Sequence, residues 1–374
     1  MTWTGGGANA SDLQASLGTT HGKFGRAVRL SDDALYAVSS AVSLSGDAFV
    51  LWQQLPARRL MMSIAPVGHK FGRPMWLKRL SGAKLWALLA PRAGPVIVEW
   101  VKPAGDLRRM VMYAARVDRG GRLAGIRRLA AGAIGQQRVS VDRRGDLAVM
   151  WSNANGNPPT YLTLCPVARR CRTERVAVNP MFGTIALLAH GTALVAGPVS
   201  VFGDGVSVSA CPLVGPCRRP QILSRSGLFP EIVVGGASRA TVAWEDEASG
   251  DGFLSSTVLD PGAKRFSTVT KVRARVGGTL FSLIANDLGA VLAGWQPDLP
   301  ASSPPSPMIT SFAGPDQRLR TITPVPYGQT TQPITATSDP SVGIDQHGNA
   351  VMAWSSAGLT STVVDIAIGH PRNR

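Results

Sequence analysis

The four cysteines are the residues best spaced for chemistry. Cys165 and Cys171 are six residues apart, Cys211 and Cys217 repeat that spacing, and each member recurs 46 residues later. A thiol pair so close in sequence can close a disulfide across a turn, whereas four thiolates could hold a tetrahedral zinc ion if two such turns converged. The spacing is not C-x-x-C, so a disulfide within each pair is the first reading, with zinc and free buried thiols as alternatives. Closing so short a loop contributes about 2–2.5 kcal/mol by chain entropy. Disulfides imply an oxidising compartment.

Other candidate groups are sparser. The acidic run Glu245-Asp246-Glu247 could serve paired-carboxylate hydrolysis or bind a hard cation, and a solvated turn is the plainer account. Glu99, beside Trp100, is expected to pair across strands with an arginine. His21, His69, His190, His347 and His370 are not at metal-ligand spacing from one another and read as surface turns. No G-x-S-x-G elbow, P-loop or Rossmann fingerprint occurs. The sequence therefore assigns no catalytic residue, no cofactor-binding residue, no metal ligand and no cofactor.

The elements that carry these residues repeat. Val139–Trp151 reads Val-Ser-Val-Asp142-Arg-Arg-Gly145-Asp-Leu-Ala-Val-Met-Trp, and Val342–Trp354 reads Val-Gly-Ile-Asp345-Gln-His-Gly348-Asn-Ala-Val-Met-Ala-Trp. Val42–Trp52, with its turn at Gly46-Asp47, is a shorter relative. Each is an alternating apolar run, a glycine turn and a second run ending in Trp, which is a β-hairpin pattern. Weaker copies lie at Leu85–Trp100, Ile185–Gly197, Ile232–Trp244 and Leu283–Trp295, giving seven hairpins. Trp3 is in register 49 residues before Trp52, and Trp52, Trp100, Trp151, Trp244, Trp295 and Trp354 follow at intervals of 48, 51, 93, 51 and 59. The 93-residue gap is two periods with one Trp lost near Gly197. A unit of 46–51 residues suits four short antiparallel strands, one blade of a β-propeller, with each Trp packed between neighbouring blades.

A second element follows each hairpin. Ala65-Pro66 to Phe71, Cys165-Pro166 to Cys171, Cys211-Pro212 to Cys217 and Asp260-Pro261 to Phe266 align as the outer hairpin turn of the blade. Both cysteine pairs thus face themselves across equivalent turns.

The motif Asp-x-x-Gly-[Asp/Asn]-Ala-x-x-x-Trp, at Asp345–Trp354 and with Leu for Ala at Asp142–Trp151, resembles the β-propeller repeats of proteins exported by high-GC actinobacteria. It is also distantly similar to the Asp-box turn of sialidases, Ser-x-Asp-x-Gly-x-Thr-Trp. Ser140-Val141-Asp142 begins that motif, but an extra residue precedes Gly145 and Trp151 falls too far on. Sialidase-type catalysis needs an arginine triad, a Tyr nucleophile and an acid; of the four tyrosines Tyr36 and Tyr327 could face a central channel, and packing or a surface position is the plainer account of each. The resemblance implies the fold and carries over no catalytic residue.

The expected architecture is an all-β chain in which residues 1–374 form one propeller of four-stranded antiparallel blades. Seven blades are expected if the partial unit 1–32 helps close the ring, eight if it stands alone. A Pro/Ser/Thr-rich insertion is expected at 297–337. The chain starts inside a unit, so either a strand such as 26–30 completes the last blade or the true start lies upstream with an export signal. Lys and Arg total 39 against 23 Asp and Glu, a formal charge of +16. The basic dipeptides are scattered, which favours a dispersed cationic surface over a nucleic-acid stripe. No apolar run is long enough to span a membrane. The function expected is a non-catalytic extracellular or cell-surface binding or scaffold propeller, a monomer holding a carbohydrate, polyanion or protein at one face. A propeller glycoside hydrolase or lyase and non-specific polyanion binding are the alternatives.

Overall fold

In the computed structural model the described residues are 2–5, 12–15, 17, 26, 28–31, 35–43, 46–54, 59–80, 82–89, 96–104, 106–118, 120–153, 159–176, 178, 183–199, 204–246, 253–273, 278–297, 309–314, 318–319, 322–324, 335–336, 341–344, 350–357 and 362–369. They are all β apart from two single 3-10 turns, Lys78–Leu80 and Gly236–Ser238. No helix among them is long and apolar enough to cross a membrane. The chain divides into two compact units, Met1–Val176 and Ala177–Arg374.

The first unit holds four antiparallel sheets in chain order. The first contains Thr2–Gly5, Asp12–Ala15 and Val28–Ser31, and the second Leu35–Val42, Ala48–Gln54, Arg59–Ala65 and Met75–Trp76. The third contains Lys84–Leu89, Val96–Ala104, Asp106–Val117 and Leu123–Gly132, and the fourth Ile134–Val141, Leu147–Asn153, Thr160–Cys165 and Arg172–Val176. Val28–Ser31, which overlaps the strand offered as one of two ways to account for the partial unit, pairs with Asp12–Ala15.

The second unit continues the pattern. The fifth sheet is Thr184–Leu188, Thr192–Gly197, Val206–Pro212 and Gln221–Ser224; the sixth is Gly227–Val234, Ala240–Asp246, Phe253–Leu259 and Thr270–Arg273. The seventh is Gly278–Ala285, Val291–Pro297, Ile309–Ala313 and Ile322–Pro324, so the stretch read as an insertion supplies its outer strands. In the eighth, Thr335–Ala336 and Ser341–Ile344 share one edge of Ala350–Ala357, and Thr362–Gly369 pairs with the other.

Burial explains the sequence pattern. In the second to seventh sheets the described residues of the second strand are mostly covered on both faces: Ala48–Gln54 and Thr192–Gly197 are buried almost throughout. Fourth strands such as Arg172–Val176 alternate between exposed and covered residues. The side chains of one sheet meet those of the next. Val50 and Trp52 pack on Leu13, Ala15 and Leu30 of the first sheet, while Phe49 and Leu51 on the opposite face pack with Val98 and Trp100 of the third. Trp151 packs on the third sheet and Trp244 on the fifth. Each of these indoles is buried against the preceding sheet, removing a large apolar surface from water.

The first strand bulges near the Trp in the second, third, fourth, sixth and seventh sheets. An extra residue bends the strand there. The fifth sheet pairs without a bulge. Gly197 holds the Trp position there, and a Cβ at Gly197 would collide with Val178 Cγ1, so a valine fills the space that the indole fills elsewhere.

Candidate functional site

In a meander of four strands, the turn between the first two and the turn between the last two lie at the same end of the sheet. This turn end gathers the polar repeat residues. The inner turn needs a residue at positive φ four positions along, supplied by Gly46 (83°), Gly145 (81°), Gly191 (81°) and Gly289 (89°). The first turn residue caps it. Asp142 Oδ1 accepts the N–H groups of Arg144 and Asp146, both at 2.9 Å, Asn286 Oδ1 accepts those of Leu288 and Ala290, and Ser43 Oγ accepts that of Asp47. Burial holds the Asp142 carboxyl above its ordinary range, with the Asp146 charge adding to it and the turn N–H groups opposing.

The residue after the glycine does a different job. Asp47 Oδ1 accepts Val67 N–H at 3.1 Å, and Asp146 Oδ1 accepts Val167 N–H at 2.6 Å. One carboxylate therefore latches the inner turn to the outer turn about twenty residues on. In the fifth sheet the Gly191 carbonyl accepts Leu213 N–H at 2.8 Å instead. In the sixth the charges exchange places, with Arg239 donating to Asp260 of the outer turn at 2.9 Å. Asp146 was not singled out from the sequence; its position after Gly145, matching Asp47, was the available signal.

The outer turns carry the cysteines. Cys165 is bonded to Cys171 and Cys211 to Cys217, each pair across the turn joining the third and fourth strands of its sheet. Arg127, from the fourth strand of the third sheet, inserts its guanidinium into the Cys165–Cys171 loop. Its Nη2 donates to the carbonyls of Pro166, Val167 and Arg169 at 2.6, 2.7 and 2.8 Å. Burial lowers the pKa of Arg127, the nearby Arg116 adds to this, and Asp146 opposes it.

The expected acidic cluster is resolved differently. Glu245 and Asp246 are not in a solvated turn but end the second strand of the sixth sheet; Glu247 lies outside the described residues. Asp246, 3% exposed, accepts from Ser226 and Ser255 and pairs with Lys271 Nζ at 2.8 Å. Glu99 meets a glutamine rather than an arginine: Gln137 Nε2 of the fourth sheet donates to its Oε2 at 3.0 Å. It is fully buried, and burial raises its pKa to about 8. Glu99 Oε1 and Gln137 Oε1 have no hydrogen-bond partner among the described residues.

Trp52, Trp100, Trp151 and Trp244 are 1%, 4%, 6% and 0% exposed. Trp3, Trp295 and Trp354 lie in strands, with their side chains outside the described set, as are Asp345 and Gly348 altogether. Tyr113 and Tyr161 stack on Trp100 and Trp151 at 5.6 and 4.5 Å. Tyr36 is in the first strand of the second sheet, and Tyr327 is outside the described residues. His69 and His190 are exposed in turns, while His21, His347 and His370 are not described.

No protein-family model matches the chain, and no curated protein matches it. Solved structures do resemble it. A structure from a study of two prolyl endopeptidases aligns over 88% of this chain and 46% of its own, at TM-score 0.56 and 11% identity. Prolyl oligopeptidase B from Galerina marginata aligns over 89% and 48%, at TM-score 0.52 and 7% identity. An ulvan lyase, a polysaccharide lyase, aligns over 88% and 93%, at TM-score 0.45 and 9% identity. The chain spans about half the length of the prolyl peptidases it matches. At such identity the likeness is one of fold alone. The serial four-stranded antiparallel sheets and the likeness to the two prolyl peptidase structures define an all-β chain of the β-propeller class.

Proposed function

We propose that the protein is a non-catalytic binding or scaffold propeller that works in an oxidising, extracellular or cell-surface setting. The observation that supports this reading is the use made of its carboxylates. The buried ones among the described residues are Asp47, Glu99, Asp142, Asp146 and Asp246. Each is bonded to its own turns, to a neighbouring glutamine, or to a serine and lysine set. A glycosidase needs a pair of carboxylates flanking substrate with one free to give a proton. Four of these acids are engaged in holding turns and strands together, and Glu99, which keeps a proton, is fully enclosed and has no exposed surface for a substrate to reach. The two disulfides support the compartment, and the loops at one end of the sheets are left to carry recognition of a carbohydrate, polyanion or protein.

The test is to incubate the purified protein with neutral and acidic polysaccharides and follow new reducing ends and unsaturated uronate absorbance. Binding without product above a heat-inactivated control is the expected result. Product formation that Asp246→Asn or Glu99→Gln abolishes would overturn the non-catalytic reading.

A further inference from the structure

We propose that the outer turns of the fifth, sixth and seventh sheets form a cationic strip that docks an acidic glycan through its sulfate or carboxylate groups. The proposal rests on the binding reading above and names its surface and ligand class. Arg218 and Arg219 are exposed between Cys217 and the fourth strand of the fifth sheet. Lys264 and Arg265 are exposed in the outer turn of the sixth, directly before Phe266. The two turns are tied together, because Gln221 Oε1 accepts Phe266 N–H at 3.1 Å. Arg318, ahead of the seventh sheet's fourth strand, donates to the Thr268 carbonyl at 3.0 Å. Five cations are thus strung over three successive sheets, close to the bonds that join those turns.

The fold sets their direction. Cys217 is held by its disulfide, and Phe266 packs against the core between the fifth and sixth sheets. The neighbouring cations are left facing water. Among the described residues, Asp260 is the exposed carboxylate of these turns, and Arg239 already engages it at 2.9 Å. No ion pair among the described residues involves Arg218, Arg219, Lys264 or Arg265. The first unit repeats the device separately, with Arg169-Arg170 before Cys171 and His69-Lys70 before Phe71.

A row of guanidinium and ammonium groups whose described carboxylate, Asp260, is already engaged by Arg239 attracts a polymer carrying anions at regular intervals, and guanidinium groups grip sulfate or carboxylate through two N–H bonds. Two observations favour a glycan over a nucleic acid. The disulfides belong to an oxidising compartment. The outer-turn aromatic, Phe266, is half-buried against the core rather than displayed for base stacking.

The experiment uses the full-length protein, dextran sulfate and uncharged dextran as probes, and duplex DNA as the competing polyanion. A strip variant carries Arg218→Gln, Arg219→Gln, Lys264→Gln and Arg265→Gln. A control variant of equal charge carries Lys102→Gln, Arg109→Gln, Arg138→Gln and Arg225→Gln, all exposed positions outside these outer turns. Wild type and control are expected to bind dextran sulfate within about threefold of one another. The strip variant is expected to lose at least about tenfold, with the salt slope falling by about three. Circular dichroism and the urea midpoint report that each variant is folded. Equal losses in both variants, no binding by the wild type, or tighter binding of DNA than of dextran sulfate would overturn the proposal. Cleavage of a glycan with the strip still required would overturn the non-catalytic reading and leave the strip standing.

Discussion

Glu99 is the residue whose environment departs most from its counterparts. The equivalent positions in the second, fourth and sixth sheets hold Leu51, Met150 and Ala243, all buried and apolar. A carboxyl in such a place keeps its proton, and its pKa stands near 8 against 4.5 in an unfolded chain. Below about pH 4.5 both states are protonated and the group contributes no pH dependence. As pH rises toward 8 the unfolded chain ionises first, so stability falls by up to about 1.4 kcal/mol per pH unit and levels off above 8. Glu99→Gln removes the titration and keeps the shape. Urea denaturation at pH 5 and pH 8 should show the wild type losing a few kcal/mol more than the variant over that interval; equal losses would place the ionised form in the fold. The sequence showed an acid beside a tryptophan. Its partner, Gln137, lies 38 residues on in another sheet, beyond the reach of local pattern.

At the scale of elements, the inner hairpins were legible because their determinants are local: a capping side chain, a residue at positive φ and an alternating strand on either side. The latches of Asp47 to Val67 and Asp146 to Val167 were not, because each joins two turns separated by a whole hairpin. The same holds for Arg127, which reaches from one sheet into the disulfide loop of the next. The Cys165–Cys171 bond fixes the loop so that three carbonyls converge on one cation. The two features should therefore be coupled. Arg127→Gln is expected to destabilise the protein by roughly 1–3 kcal/mol with the disulfide intact, and by less than half of that in a Cys165→Ala, Cys171→Ala background. A double-mutant cycle from urea unfolding reads the coupling, and additive effects would mean that the loop holds its shape without the bond.

For the molecule as a whole, the tryptophan period carried most of the fold. It marked the second strand of the second, third, fourth, sixth and seventh sheets, and the described residues of those strands are mostly buried on both faces. Where the period skipped, at Gly197, the sheet was still present, with Val178 in place of the indole. Such a substitution trades one filler for another from a different segment and leaves no trace in the repeat itself. The N-terminal residues were harder to place. Three short strands with little alternation read equally well as a sheet or as a contribution to another, and only pairing distinguishes these. The formal charge of +16 said nothing of where cations lie, because their positions at outer turns are visible only once those turns are aligned in space.

Everything above depends on each sheet being one module built around a doubly covered second strand. Residue-resolved amide hydrogen exchange tests this most directly. Phe49–Trp52, Ile97–Trp100, Ala148–Trp151, Leu194–Gly197 and Thr241–Trp244 should be the slowest segments of their sheets, with the fourth strands Arg172–Val176 and Gln221–Ser224 exchanging far faster. Fourth strands protected as well as second strands, or second strands that exchange early, would contradict the modular fold.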